Sequence, residues 1–258
     1  MSGNRLTSVT NAVRLIKAFT SARSAWGVSE LSRELGLSKS SVHRILATLT
    51  DEGMLEQDPD TGRYRLGLAM YDLAAAVPTQ RDLHEAVLMP MSELRNRIGE
   101  TVQVGVLDGR QVVYVERLDS PHTLRMFTEI GRRVPVHCSA TGKVLLSNLP
   151  KERREKMLAD IDLVKRTSYT ITSTKKLQAE IDLIRLQGYA ENRHESELGV
   201  VSCAAPIRDA SGATVAAMSV AGPAERLDPV RAQMAQAVMR ATGVVSHRLG
   251  FRGGVGVP

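Results

Sequence analysis

Two short stretches of this chain concentrate residue types that could do chemistry. The first runs from Ser38 to Thr48. It holds Lys39, Ser40, Ser41, His43 and Arg44, and no carboxylate follows until Asp51. Hydroxyl, imidazole, ammonium and guanidinium groups all donate hydrogen bonds, and Lys and Arg add positive charge. An acid-free donor surface suits a polyanion such as duplex DNA. There the side chains can reach base edges in the major groove, and helix N-terminal amides can meet phosphate. The second stretch, His137-Cys138-Ser139-Ala140-Thr141-Gly142-Lys143, mixes hydroxyls with small residues. Small side chains let a ligand approach the backbone. Amides opening a helix there can hold an anion, for example the carboxylate of a small organic acid.

Three other chemistries fit these residues less well. Ala140-Thr-Gly-Lys143 resembles the end of a phosphate-binding loop. However, His137 stands where such a loop needs its first glycine, and Val144 follows the lysine instead of Ser or Thr. His137 beside Cys138 resembles a nucleophile and its base, but neighbours in sequence seldom face each other and no orienting acid or amide is evident. His137, Cys138 and His194 could be imagined around a metal, but the sequence has no Cys-x-x-Cys pair and six histidines in 258 residues need no metal to explain them, so neither metal nor cofactor is expected.

The first stretch needs a helix to present it. Val9, Ala12, Val13, Ile16 and Phe19 recur at helical spacing and predict an amphipathic helix over residues 8–22. Ser29 is placed to cap a second helix reaching residue 34, with Leu31 and Leu35 inward and Gly36 as its stop. Ser38 is placed to cap a third helix that buries Val42, Ile45, Leu46 and Leu49 and ends by Gly53. Two short helices around a glycine turn make a helix-turn-helix. The opposite face of the third helix then carries Lys39, Ser40, Ser41, His43, Arg44 and Thr48. Residues 54–66 predict a hairpin around the turn Asp58-Pro-Asp-Thr-Gly62, the wing of such a domain. Arg63 and Arg65, two apart on one strand face, can lie along the phosphate backbone. A purely structural three-helix adaptor is the competing reading, and the agreement of helices, turn, donor face and hairpin in this order favours DNA.

The second stretch sits in a different context. An Ala-rich apolar helix over residues 67–77 ends before Pro78, and a longer helix over 81–98 is expected to break or kink near Pro90 and close at Gly99. Strands are expected at 101–107 and 111–118, joined by Asp108-Gly109, at 124–127, and at 200–207 and 214–220 around Asp209-Ala-Ser-Gly212. Helices are expected within 137–149, at 174–186 with Ile181 and Ile184 inward and Gly188 as a stop, and at 229–249. Strands surrounded by helices indicate an α+β domain. The division is 1–67 for a winged helix-turn-helix domain, 68–79 for a linker helix, 80–250 for a ligand-binding domain, and 251–258 for a flexible glycine-rich tail.

Composition sets bounds around this. A length of 258 residues accommodates two domains, and 43% hydrophobic residues suffice for soluble cores. The sequence has no apolar run long enough for a membrane span, and residues 1–20 are amphipathic, unlike a signal peptide. Cys138 and Cys203 are the only cysteines and fit reduced thiols in a cytoplasm better than a disulfide framework. The net charge of +6 suits a polyanionic partner, yet residues 1–67 hold nine Lys/Arg against seven Asp/Glu. The pattern, and not the bulk charge, points to DNA.

Three ordered motifs stand out: Val28-Ser-Glu-Leu-Ser-Arg-Glu-Leu-Gly-Leu-Ser-Lys-Ser-Ser-Val-His-Arg-Ile-Leu-Ala-Thr-Leu with Glu52-Gly53, Val134-Pro-Val-His-Cys-Ser-Ala-Thr-Gly-Lys143, and Gly188-Tyr189 through Gly199 to Ala204-Ala-Pro206. In these the sequence resembles the IclR family of bacterial transcriptional regulators. The resemblance implies a GAF-like or profilin-like antiparallel sheet in the second domain and dimers that pair into tetramers. Two N-terminal domains related by two-fold symmetry would read a pseudopalindromic operator, and a small organic acid in the second domain would modulate that binding; with only three Phe, one Trp and five Tyr, the pocket suits a short keto or hydroxy acid, or an aromatic acid packed on Met126 and Val134. The family's pocket maps onto Met126, Val134, Ser139, Ala140, Thr141 and Gly142 on one side and Asn192, Ser202 and Ser219 on the other. Two positions depart from the family's habit, because an acid often stands at the position of Asn192 and a cysteine at that of Ser202. Cys203 is one residue off and would face the other way along a strand. Arg125 could pair with a carboxylate or face solvent. An enzyme acting on a small organic acid, with an N-terminal interaction module, is the alternative; no convergent catalytic set supports it.

Overall fold

The N-terminal stretch folds as α1 (Thr7–Ile16), shorter than its apolar pattern suggests. The chain turns after Ile16 because the indole N–H of Trp26 takes the Ala18 carbonyl at 3.1 Å, and Phe19 is buried from the turn, outside the helix. In α2 (Val28–Leu35) the cap is Gly27 and not Ser29: the Glu30 carboxylate reaches back to the Gly27 N–H at 3.0 Å. Gly36 follows in the left-handed conformation, φ 67°, which costs a glycine little. Ser38 then caps α3 (Lys39–Asp51), its hydroxyl accepting the Ser41 N–H at 3.2 Å. Strands β1 (Leu55–Gln57) and β2 (Tyr64–Leu66) pair antiparallel, and Trp26 bridges Tyr64 from the other side. Leu15, Leu31, Val42, Leu46, Leu55 and Tyr64 form the core, with Ile45 and Leu49 half-buried against it. Helix α4 (Ala69–Ala75) follows.

The computed structural model describes residues 6–20, 22–76, 80–124 and 129–253, and the chain divides into two compact units between Arg81 and Asp82. Pro78, the expected strand at 124–127 beyond Leu124, and tail residues 254–258 lie outside the described residues.

Helix α5 (Gln80–Ile98), in the second unit from Asp82 onward, continues through Pro90 without the break that was one of the two expected outcomes there. Leu83, Val87, Met91 and Leu94 lie on both sides of the proline and are all buried on the sheet, so packing outweighs one missing hydrogen bond. Strands β3 (Thr101–Asp108), β4 (Gln111–Leu118), β5 (Arg133–Pro135), β6 (Ala190–Arg193), β7 (Val200–Arg208) and β8 (Thr214–Pro223) form one antiparallel sheet in the order β5-β4-β3-β8-β7-β6. Asp108 pairs with Gln111, so the Asp108-Gly109 signal is a tight hairpin turn, with Gly109 at φ 59°.

Side chains alternate along each strand. Val102, Val104, Val201, Cys203, Ile207 and Met218 face α5 and α10 (Arg231–Arg248). Val112, Tyr114, Ala204 and Ala217 face α6 (Ala140–Ser147), α7 (Lys151–Asp160) and α8 (Thr174–Gln187). The four-residue α9 (Ala224–Leu227) follows β8. Strands β5 and β6 and helix α7 were not expected: the strands are short, and α7 is mostly charged. Phe251, the first residue of the expected tail, is half-buried, and its N–H donates to the Ser246 carbonyl at 2.9 Å.

Candidate DNA-recognition face and ligand pocket

Helix α3 presents Lys39, Ser40, Ser41, His43, Arg44 and Thr48 as exposed side chains, with Ser38 exposed at its start. The Ser38 hydroxyl sits 3.1 Å from that of Ser40 and donates to that of Ser41 at 2.9 Å, which orders the first turn. Thr48 spends its proton on the Arg44 carbonyl at 3.0 Å, so its oxygen is left as an acceptor. Lys39, His43 and Arg44 therefore carry the positive and donor character of the face. Val42 and Leu46 on the opposite side are fully buried and hold the helix at fixed rotation.

The hairpin arginines differ from each other. Arg63 precedes β2 and turns toward the start of α2 while staying 40% exposed: its guanidinium donates to Glu30 at 2.8 Å and to the Ala25 carbonyl at 3.1 Å. Arg65 stays at the surface in an exposed pair with Glu56 at 3.0 Å. The two are not equivalent residues of one strand face. The Asp58 carboxylate takes the N–H groups of Thr61 and Asp60, at 2.9 and 3.0 Å, which shapes the tip and holds its acid below the ordinary value.

In the second unit a cavity of about 70 Å³ opens on the sheet face that carries α6. Val134, Ser139, Asn192 and Ser202, four of the residues expected to hold an effector, line it. Ala140, Thr141, Gly142 and Ser219 are buried next to this wall without lining it, and Met126 and Arg125 lie outside the described residues. The sheet register explains the grouping. Gln103 pairs with Ser219 on β8; two residues further along β8, Ala221 pairs with Ser202, and Ser202 with Asn192, so two adjacent rows on one face of the sheet bring Gln103, Ser202 and Asn192 together. Helix α6 comes close at Gly105, where a Cβ would stand 2.9 Å from the Thr141 methyl.

Sequence reasoning missed Gln103, Tyr114, Arg132 and Arg166 in this lining. Gln103 is 2% exposed, and its amide nitrogen finds no hydrogen-bond partner among the described residues. A glutamine inside the apolar run of β3 was the signal available. Burial raises the Tyr114 phenol, and the Thr141 hydroxyl next to it opposes that.

Asn192 is occupied within the protein: its oxygen accepts the Glu195 N–H and its nitrogen donates to the Ser196 hydroxyl, both at 2.9 Å. It shapes the rim turn, which is tied further by Thr170 to the Glu195 carbonyl at 2.7 Å and by Arg166 to that of Ser196 at 3.3 Å. His194 adopts φ 63°, and its ring nitrogen accepts the Gly199 N–H at 3.0 Å. Behind the rim, Lys143 is fully buried and donates to Glu195 at 2.7 Å and Glu180 at 2.8 Å. Burial raises the Glu195 carboxyl, against the pull of Lys143. This is the lysine's employment, in place of a nucleotide phosphate.

His137 and Cys138 do not pair. The His137 ring meets the Val164 carbonyl at 3.1 Å, and burial lowers its basicity. Burial pushes the Cys138 thiol up to about 11, far from a nucleophile's range. Cys203 is buried on the other face of the sheet from Ser202.

The first unit has the order, turn and exposed donor face of a winged helix-turn-helix, and the second encloses a polar pocket on an antiparallel sheet. Together they define a DNA-binding regulator with a ligand-binding domain. Residues 8–59 match the IclR helix-turn-helix domain, and residues 75–247 match the bacterial transcriptional regulator IclR C-terminal domain. The chain belongs to the IclR family of bacterial transcriptional regulators. It is 34% identical over 226 residues to the HTH-type transcriptional regulator KdgR of Escherichia coli, covering 87% of this chain and 86% of that one. It is 31% identical over 245 residues to XynR of the same organism, covering 95% and 97%. In structure it is similar to an IclR homolog from Microbacterium hydrocarbonoxydans complexed with 4-hydroxybenzoate, with a TM-score of 0.83, 26% identity, and coverage of 94% and 99%. The chain is a regulator and not an enzyme.

Proposed function

We propose that α3 reads an operator through Lys39, Ser40, Ser41, His43, Arg44 and Thr48, and that an organic acid held in the sheet pocket modulates this binding. The observation that carries the first half is the exposed, acid-free donor face of α3, fixed by the Ser38 cap and the buried Val42 and Leu46. Arg65 reaches phosphate from the hairpin, and Arg63 supports it. Two copies reading a pseudopalindrome match the family's symmetry. Exposed Leu6, Val9 and Val13 on and before α1, and Leu68, Tyr71 and Leu73 on and near α4, offer the apolar surface for that pairing, and sensor domains extend it to a tetramer. Such a regulator works in the cytoplasm, where its DNA is. Among the described residues no helix is long and apolar enough to cross a membrane.

Support for the acid comes from donors. Gln103 lines the cavity, its buried amide nitrogen has no hydrogen-bond partner among the described residues, and the guanidinium-bearing Arg132 and Arg166 line the same space. The Microbacterium neighbour's 4-hydroxybenzoate belongs to this chemical class. The acid regulates only if it binds one arrangement of the domains more tightly than the other.

The test is a duplex selected from a random pool by the wild-type protein. Arg44→Ala should lose about 1–3 kcal/mol of binding and relax preference at one base pair if Arg44 grips a guanine. Unchanged affinity would overturn the reading of α3. For the pocket, organic acids including 4-hydroxybenzoate are screened by thermal shift, since a native-state ligand raises stability. Gln103→Leu should abolish the shift of any acid that binds; a shift retained in full would remove the pocket from the proposal.

A further inference from the structure

Glu30 is an acid in the domain that must approach a polyanion, and its position in the structure gives it a task. One of its oxygens, Oε2, gathers the Gly27 N–H at 3.0 Å, the Arg63 guanidinium at 2.8 Å and the Arg23 guanidinium at 3.2 Å. The Gly27 N–H foremost, with Arg63 and Arg23 behind it, holds its carboxyl below the ordinary value, so it is ionised at neutral pH. Arg63 has a second tether to the Ala25 carbonyl at 3.1 Å. Arg23 lies over the Trp26 ring, 3.3 Å from its centre. Trp26 exchanges two backbone hydrogen bonds with Tyr64 at 2.9 and 2.8 Å, immediately after Arg63 in the hairpin. The hairpin is thus pinned to the start of α2 twice, by backbone at Tyr64 and by an ion cluster at Arg63. Arg65, one residue beyond Tyr64, is left at the surface.

We propose that Glu30 is a positioning residue for the DNA-contacting hairpin, and that Arg63 spends its charge on Glu30 and not on phosphate. This rests on the hairpin touching DNA, as proposed above. It makes a prediction opposite in sign to simple electrostatics. Removing an acid from a DNA-binding domain should tighten binding if the acid only repels. Removing one that sets the hairpin should weaken it.

The experiment titrates a random-sequence duplex, about three helical turns long, at several salt concentrations with the full-length protein. A variant that gives up one phosphate should show a slope of log K against log salt smaller by about 0.9. Glu30→Gln and Arg63→Gln should each weaken binding several-fold with the slope unchanged, and the double variant should be no weaker than either single one. Arg65→Gln should lower the slope by the amount of about one phosphate per bound copy. Glu30→Gln also loosens the α2 cap, so Arg63→Gln, which leaves the Gly27–Glu30 bond intact, is the folding-independent check. Tighter binding by Glu30→Gln, or a slope lowered by Arg63→Gln, would overturn the assignment. A slope indifferent to Arg65 would show that the hairpin misses DNA, and the inference would fall with that premise, leaving the reading of α3 untouched.

Discussion

Without the Lys143 ammonium, Glu195 and Glu180 would share a pocket with no cation between them. Lys143→Met should therefore destabilise the second unit by about 3–5 kcal/mol, measured by urea unfolding, and adding Glu195→Gln should restore part of it. Equal stability of Lys143→Met and wild type would show that the cluster is not coupled. His137 adds a pH dependence. Burial keeps its ring neutral, so the unfolded chain takes up a proton first as the pH falls below the ordinary value of 6.5. Its contribution is complete above that value and drains away as the pH drops through the ring's lowered one. Thermal midpoints between pH 8 and about 5 should fall more steeply for wild type than for His137→Gln; parallel curves would exclude this origin. At this scale the sequence was informative where a residue acts alone, as Ser38 and Gly36 do. It was silent where two distant residues meet. Nothing near Arg63 announces Glu30, nothing near Lys143 announces Glu195, and Gln103 acquires meaning only when β3, β8 and β7 line up.

Helix α6 can exist where it does because Gly142 has no side chain. A Cβ there would stand 2.4 Å from the Val136 carbonyl and 2.7 Å from the Ser139 hydroxyl that caps the helix. Gly142→Ala should cost about 1–3 kcal/mol and the response to any bound acid, read by thermal shift. Gly243, inside α10, meets nothing within 4 Å, so Gly243→Ala should raise stability by about 0.4–1 kcal/mol. If both substitutions moved the midpoint the same way, close approach would not be what selects Gly142. Elements with local signals were legible: the turn of the helix-turn-helix, the Asp108-Gly109 hairpin, and α8 up to Gly188. The end of α1 was not, because its apolar spacing runs on to Phe19 while a tertiary bond from Trp26 turns the chain. The continuity of α5 through Pro90 was decided by its packing, which local propensity does not contain.

For the whole molecule, a net charge of +6 with near balance in the first 67 residues means that DNA affinity comes from where the donors point. On this reading α3 lies in a groove of the operator. Both native thiols are buried, so Ser40→Cys would provide a single accessible thiol on that face. A DNA-cleaving iron chelate attached there, incubated with the selected duplex, should cut inside the selected site, in two clusters about one helical turn apart if two copies bind side by side. Cuts spread evenly along the duplex, or none while the labelled protein still binds it, would show that α3 does not enter the DNA.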